Sequence, residues 1–259
     1  MSETVSNDGT KIAFDSTGDG PPVILVVGAF NDRATGAPLA RALEGRLSVL
    51  NYDRRGRGAS GDTQPYAVER EVEDLHALIQ EAGGEASVFG YSSGANLALE
   101  GAIRGLKITK LAMYEPAFVD DTVPDLPKDI ATQLEKLVTT GRRGDAVELF
   151  QTRLVGMPES LVAQMRNAPF RPALEAIAHT LVYDAKVVGN RKVPAARARS
   201  VTMPTLVVYG AAGPTFMSTA AKALAAAIPD GQVHGLEGQA HDIVPEALAP
   251  VLLDFLVGR

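Results

Sequence analysis

The sequence predicts an α/β protein: a mostly parallel central sheet flanked by helices and interrupted late in the chain by a helical insertion. Three observations predict it. Apolar, β-branched runs such as "VILVVG" (23–28) recur along the chain, and such runs suit strands covered on both faces. Segments with helical periodicity separate them, which is the alternation of a parallel sheet. Between Pro116 and Met203 the strand runs cease and only helical stripes remain.

Taken in order, Asn7-Asp8-Gly9 lies between two short alternating stretches, and Asp-Gly favours a tight hairpin, so an antiparallel pair opens the chain. After Pro21-Pro22, residues 23–28 form the first buried strand, "LSVLNYD" (47–53) the second and "ASVFG" (86–90) the third. The third is reached through a helix in which Val68, Val72, Leu75 and Ile79 recur at helical spacing. "ITKLAMYE" (108–115) and "PTLVVYG" (204–210) continue the alternation, "GQVHGL" (231–236) closes the sheet, and "PEALAPVLLDFLVG" (245–258) is the final helix. Within the insertion, Ile130, Leu134, Leu137 and Val138 form one stripe and Val147, Phe150 and Leu154 the next, while "PESLVAQMRNA" (158–168) and "RPALEAIAHTLVYDAKVV" (171–188) also read as helical. The expected division is a core of residues 1–116 and 203–259 and a helical cap of residues 117–202.

Composition narrows the functional classes. At 259 residues and 46% hydrophobic, the chain can bury a large core in one domain with an insertion. A formal net charge of −6 with well-mixed charges leaves no basic stripe, so nucleic acid is not an expected partner. No apolar run reaches about 18 residues and "MSETVSNDGTKIAF" carries no export signal, so a soluble protein away from membranes is expected. The absence of cysteine removes thiolate chemistry, disulfides and cysteine-bound metal, and fits the cytoplasm. A homodimer is among the expected states.

The stretch "VFGYSSGANLALEGAI" (88–103) carries the chemistry. It places Gly90-Tyr91-Ser92-Ser93-Gly94 after a predicted strand and before a predicted helix, the context a nucleophile elbow requires. Ser92 occupies the nucleophile position, and the backbone N–H of Ser93 opens the helix towards any negative charge forming beside it. A serine needs a base, and four histidines are available. His76 lies in a helix between acidic and apolar residues, His179 in the insertion and His234 within the last strand. His241, in "LEGQAHDIVPEAL" (236–248), follows that strand, where strand-end loops assemble catalytic groups, and is the expected general base.

With these motifs the chain resembles the α/β-hydrolase superfamily over essentially its whole length. "VILVVGAF" resembles the oxyanion strand and loop, and "YDRRGRGASG" (52–61) the turn after the next strand; elbow, cap and late histidine follow in the family's order. Two departures stand out. The His-Gly pair of the oxyanion loop is here Val27-Gly28, leaving the N–H of Ala29, or of Phe30 one residue on, as the second donor. The aspartate that the family carries after the penultimate strand is replaced, in "TLVVYGAAGPTFM" (205–217), by Gly213.

An unoriented histidine is a poor base, because the acid fixes its tautomer and stabilises the imidazolium. The other strand end that could reach it is that of "LAMYE", closing with Glu115 and followed by Pro116. Some haloalkane dehalogenases place a glutamate acid there, and the fungal zearalenone lactonases are similar to this chain in "GYSSGA", in "AMYEP" and in lacking the later aspartate. The resemblance implies Ser92, His241 and Glu115 as a triad. Asp120, Asp121 and Asp242 remain rivals for the acid, whereas Asp53 reads as structural, pairing locally with Arg54, Arg55 and Arg57.

The expected reaction is therefore acyl transfer from a small ester or lactone to water, with no metal or organic cofactor. Phe30, Met157, Met165, Phe170, Tyr183, Phe216 and Met217 are the apolar candidates for the pocket wall. Cofactor-free lyases, C–C hydrolases and biosynthetic enzymes share the fold and stand as alternatives, as does a non-catalytic small-ligand receptor. Epoxide hydrolases and dehalogenases of this fold use an aspartate where Ser92 stands.

Overall fold

The computed structural model describes residues 1–258. Eight strands form one sheet: β1 (Ser2–Val5), β2 (Lys11–Thr17), β3 (Pro22–Val26), β4 (Ser48–Tyr52), β5 (Ala86–Tyr91), β6 (Ile108–Tyr114), β7 (Thr205–Gly210) and β8 (Gly231–Leu236). Their order across the sheet is β1-β2-β4-β3-β5-β6-β7-β8. β1 and β2 pair antiparallel through the Asp8-Gly9 turn, where Gly9 takes φ +84°, and β2 joins β4 antiparallel; all remaining pairs are parallel.

The buried strands show why the apolar runs are unbroken. Along β3, Ile24 and Val26 face one layer and Val23 and Leu25 the other, and all four are buried. Helices α1 (Arg33–Leu43), α2 (Val68–Glu81) and α3 (Ser93–Ile103) alternate with the first strands. The layer on one face gathers Leu75, Leu97 and Leu224; that on the other gathers Leu39, Leu43, Leu248 and Leu252.

Between β6 and β7 run α4 (Ile130–Thr139), α5 (Arg143–Phe150), α6 (Glu159–Gln164), α7 (Arg171–Ala176), α8 (Thr180–Val188) and α9 (Ala195–Ala198). The chain then adds α10 (Thr215–Ala227) and closes with α11 (Pro245–Val257). The inserted helices have an apolar cluster of their own, in which Ile130, Leu134, Val147, Phe150, Leu154 and Leu181 are buried. Their order is less regular than the periodicity suggests. Residues 171–188 divide into α7 and α8, and the Thr180 hydroxyl donates to the Ile177 carbonyl at the break, 2.8 Å away. α5 runs into a π-helical turn, Gln151–Val155, that Gly156 ends at φ +82°. Among the described residues no helix is long and apolar enough to cross a membrane.

The strand order positions the site. The chain leaves β3 for β4 on one side and then crosses to β5 on the other, so the loops after β3 and β5 diverge at the carboxyl end of the sheet. A crevice at such a switch point is where open parallel sheets bind ligands.

Candidate active site

Ser92 sits in that crevice, between β5 and α3, with φ +54° and ψ −127°. A non-glycine residue held there is strained by about 1–3 kcal/mol, and the strain lifts its side chain clear of both elements. The turn tolerates no Cβ at Gly94, where one would fall 2.2 Å from the Val26 carbonyl oxygen. The Ser92 N–H donates to the Tyr114 carbonyl at 3.0 Å, tying the elbow to the end of β6. The N–H groups of Ala29 and Ser93 have no backbone acceptor among the described residues, and both residues line the cavity that Ser92 faces.

Glu115 follows β6 immediately and takes φ +50°. Its N–H extends the β6–β7 ladder to the Val208 carbonyl, 2.9 Å away, and the Asn96 side chain of α3 accepts from Ala117 at 2.8 Å. The carboxylate is thereby aimed along the sheet edge and is 1% exposed. Its Oε1 accepts from the Gly210 N–H at 2.8 Å and its Oε2 lies 3.2 Å from His241 Nδ1. An ionised carboxylate only accepts, so Nδ1 carries the proton and Nε2 is left free to accept one.

His241 is held from several sides. The Tyr114 hydroxyl donates to the Ala240 carbonyl at 2.5 Å, and the Tyr91 ring lies 5.1 Å from the imidazole. At Gly210 any Cβ would fall 2.2 Å from the Ala240 oxygen, so this glycine lets the histidine loop close onto β7. Ala212 donates to the Gln239 carbonyl at 2.8 Å. The turn at 210–213 thus supports the loop through its backbone, and Gly213 brings no side chain to the imidazole. His241 and Ser92 border the same cavity without a direct hydrogen bond; such contacts tighten when substrate binds.

Asp120 and Asp121, two of the rivals for the acid, and the other histidines lie elsewhere. Asp120 accepts from Thr122, and Asp121, fully exposed, pairs with Lys192 at 3.4 Å. His76 and His234 are exposed, the latter in a groove with Lys110 and Pro204 at the opposite end of the strands; His179 pairs with Asp62 at 3.6 Å.

The cavity measures about 370 Å³ and is bordered mainly by apolar side chains from the loop after β3, the inserted helices and the start of α10. Phe30, Met157, Phe216 and Met217 are among them. Three expected wall residues are not. Phe170 precedes α7 and is 49% exposed on the surface. Tyr183 is buried but stacks on Tyr66 with ring centroids 3.8 Å apart, and its hydroxyl donates to Asp62 at 2.8 Å, so it belongs to the packing of α8. Met165 also lies outside the wall.

The local pairing expected for Asp53 is replaced by a larger arrangement. Asp53 accepts from the N–H groups of Arg33 and Ala59, whereas the three arginines are buried and find other partners. Arg55 pairs with Asp74 and Asp8. Arg54 pairs with Glu71 and, at 2.8 Å, with Asp184 of α8, whose other oxygen takes Arg57 at 2.6 Å. Burial would raise the Asp184 carboxyl, but Arg57 and Arg54 outweigh it and hold it below the usual range. The same carboxylate accepts from the Ser93 hydroxyl at 2.8 Å, while Arg57 donates to the Gly28 carbonyl at 2.5 Å and Arg54 to that of Val27 at 3.3 Å. The inserted helix α8, the turn between β5 and α3 and the loop after β3 are therefore pinned to one another by buried charge. Removing one member of such a set typically costs about 3–5 kcal/mol, because the others are left unpaired.

A family model described as "Alpha/beta hydrolase family" matches residues 23–251. The chain belongs to this family. Another alpha/beta hydrolase, from Sphaerobacter thermophilus DSM 20745, has a solved structure 53% identical to it, covering 98% of this chain and 99% of that one with a TM-score of 0.92. The enol-lactonase from Burkholderia xenovorans LB400 shares the fold at 22% identity, with a TM-score of 0.72 over 98% of this chain and 99% of its own. The uncharacterized hydrolase YraK of Bacillus subtilis (strain 168) is 34% identical over 105 residues, so the match spans 39% of this chain and 39% of that relative's length. Among the described residues of this alpha/beta hydrolase, no group of three or more His, Asp or Glu is arranged to hold a metal ion.

Proposed function

We propose that this alpha/beta hydrolase cleaves a carboxylic ester or lactone of a small, largely apolar molecule through an acyl-enzyme on Ser92. The observation that carries the reading is the buried Glu115 carboxylate, 3.2 Å from the Nδ1 of a histidine that shares a cavity with a strained serine.

Each step follows from the chain's own groups. Ser92 Oγ attacks the carbonyl carbon as His241 Nε2 takes its proton, and the Glu115 carboxylate balances the imidazolium that forms. The oxyanion is met by the N–H groups of Ala29 and Ser93, reinforced by the amino end of α3. Collapse breaks the acyl–oxygen bond, and His241 returns the proton to the leaving alkoxide. Water, deprotonated by the same imidazole, then attacks the acyl carbon; the acyl–Oγ bond breaks, the acid is released and His241 returns the proton to Ser92 Oγ. The inserted helices serve as a cap, supplying the wall on which the substrate's apolar body lies and excluding bulk water.

The test is a panel of p-nitrophenyl acetate, p-nitrophenyl butyrate and aliphatic lactones, with the released acid quantified. Hydrolysis of at least one ester or lactone is expected, at rates proportional to protein concentration. Turnover of none of them would overturn the ester reading and leave the lyase or C–C hydrolase chemistry of the fold as the alternative.

A further inference from the structure

Among the described residues, four non-glycine residues take positive φ: Phe30, Ser92, Glu115 and Arg191. The first three belong to the oxyanion loop, the elbow and the acid. The fourth, at φ +60°, follows α8 and borders the same cavity. Strain at a residue that glycine would relieve persists where the side chain is needed.

The Arg191 side chain is unusual in its surroundings. It is only 7% exposed, yet it forms no ion pair among the described residues and its buried Nε has no hydrogen-bond partner. One terminal nitrogen donates to the Leu154 carbonyl at 3.0 Å and the other to that of Pro124 at 3.5 Å. Those carbonyls orient the guanidinium without neutralising it. Burial lowers its pKa, and Asp125 offsets this only in part, being exposed and paired with Lys192 at 3.5 Å. No Asp, Glu or Lys borders the cavity. Gln151, one turn from Leu154, also borders it and leaves its buried Oε1 unpartnered.

A fixed cation bordering an apolar cavity, with no anion in the lining, is costly, and a bound anion would recover that cost. Arg presents a planar fork matched to a carboxylate. We infer that Arg191 receives a carboxylate of the substrate, so that the natural substrate is an ester or lactone with an apolar body and a free carboxylate. The inference rests on the hydrolase reading for the reaction, while the anion site stands on the geometry of Arg191 alone.

The experiment compares carboxylate-bearing esters with their methyl-capped counterparts. One arm carries the carboxylate on the acyl side, in the mono-p-nitrophenyl esters of succinate, glutarate and adipate; the other carries it on the alcohol side, in butyrate esters of hydroxybenzoic acids. The best acid ester is expected to exceed its methyl-capped form at least tenfold in kcat/KM. Arg191→Gln is expected to lose that preference, lowering the ratio at least tenfold to about one, and Arg191→Lys, which keeps the charge, retains a larger share of it. Calorimetry on Ser92→Ala is expected to detect adipate binding that Ser92→Ala/Arg191→Gln lacks. A preference for the neutral ester in both arms, a ratio unchanged by Arg191→Gln, or equal adipate binding by the two proteins overturns the inference. Arg191-dependent binding of adipate in a protein that hydrolyses no ester supports the anion site while removing the hydrolase reading.

Discussion

Ser92→Ala is expected to lose about 10⁶-fold in kcat on p-nitrophenyl butyrate, the scale on which removing a triad nucleophile acts. KM should change little, because Oγ adds little to ground-state binding; its contribution arises when it bonds to the carbonyl carbon. The fold should be retained, since the elbow is fixed by the Ser92 N–H, the close approach at Gly94 and the Asp184 network, none of which uses Oγ. Steady-state kinetics with a matched thermal melt checks both halves. A variant within tenfold of the parent would remove Ser92 from the nucleophile role.

Glu115→Gln is expected to lose about 10³–10⁴-fold in kcat, with the fold again retained. The amide oxygen can still accept from the Gly210 N–H, so the strand-end contact at 2.8 Å survives. What changes is the other end of the side chain. An NH₂ facing His241 Nδ1 turns that nitrogen into the acceptor and moves the imidazole proton to Nε2, where it can no longer take the proton of Ser92. Asp120→Asn and Asp121→Asn should stay near the parent rate, because their carboxylates face Thr122 and Lys192. The reverse pattern of losses would move the acid onto that loop. Kinetics of the three variants side by side distinguishes the cases.

Much of this site is legible in the sequence because its parts are local. Glycines flanking a serine between a strand and a helix state their own geometry, and Glu115 closes an apolar strand just ahead of a proline. Glu115 as the proposed acid is suggested rather than singled out by the sequence, since Gly213 leaves the usual strand end without a carboxylate while Asp120 and Asp121 stay open until the packing is seen. What is not legible is long-range. Asp184 meets Arg54 and Arg57 across some 130 positions, and nothing in "TLVYDAKVV" marks that aspartate as buried among cations. Tyr183 carries the same helical spacing whether it faces substrate or Tyr66, and only the packing decides for Tyr66. Arg191, beside Lys192, looks like half of a solvated basic pair. Its burial depends on where the turn after α8 returns to the loop after β6, at the Val119–Lys192 bridge.

The proposed reaction passes through a covalent intermediate at one atom, Ser92 Oγ, so the most direct measurement is to trap it. Wild-type protein is mixed with p-nitrophenyl acetate, quenched in acid within milliseconds to seconds, digested and sequenced by mass spectrometry. The predicted result is one acetyl group, on the peptide spanning Ser92, that vanishes on delayed quenching and is absent from Ser92→Ala. Ester turnover with no acylated peptide at any quench time, or with acetyl on a residue other than Ser92, would contradict it.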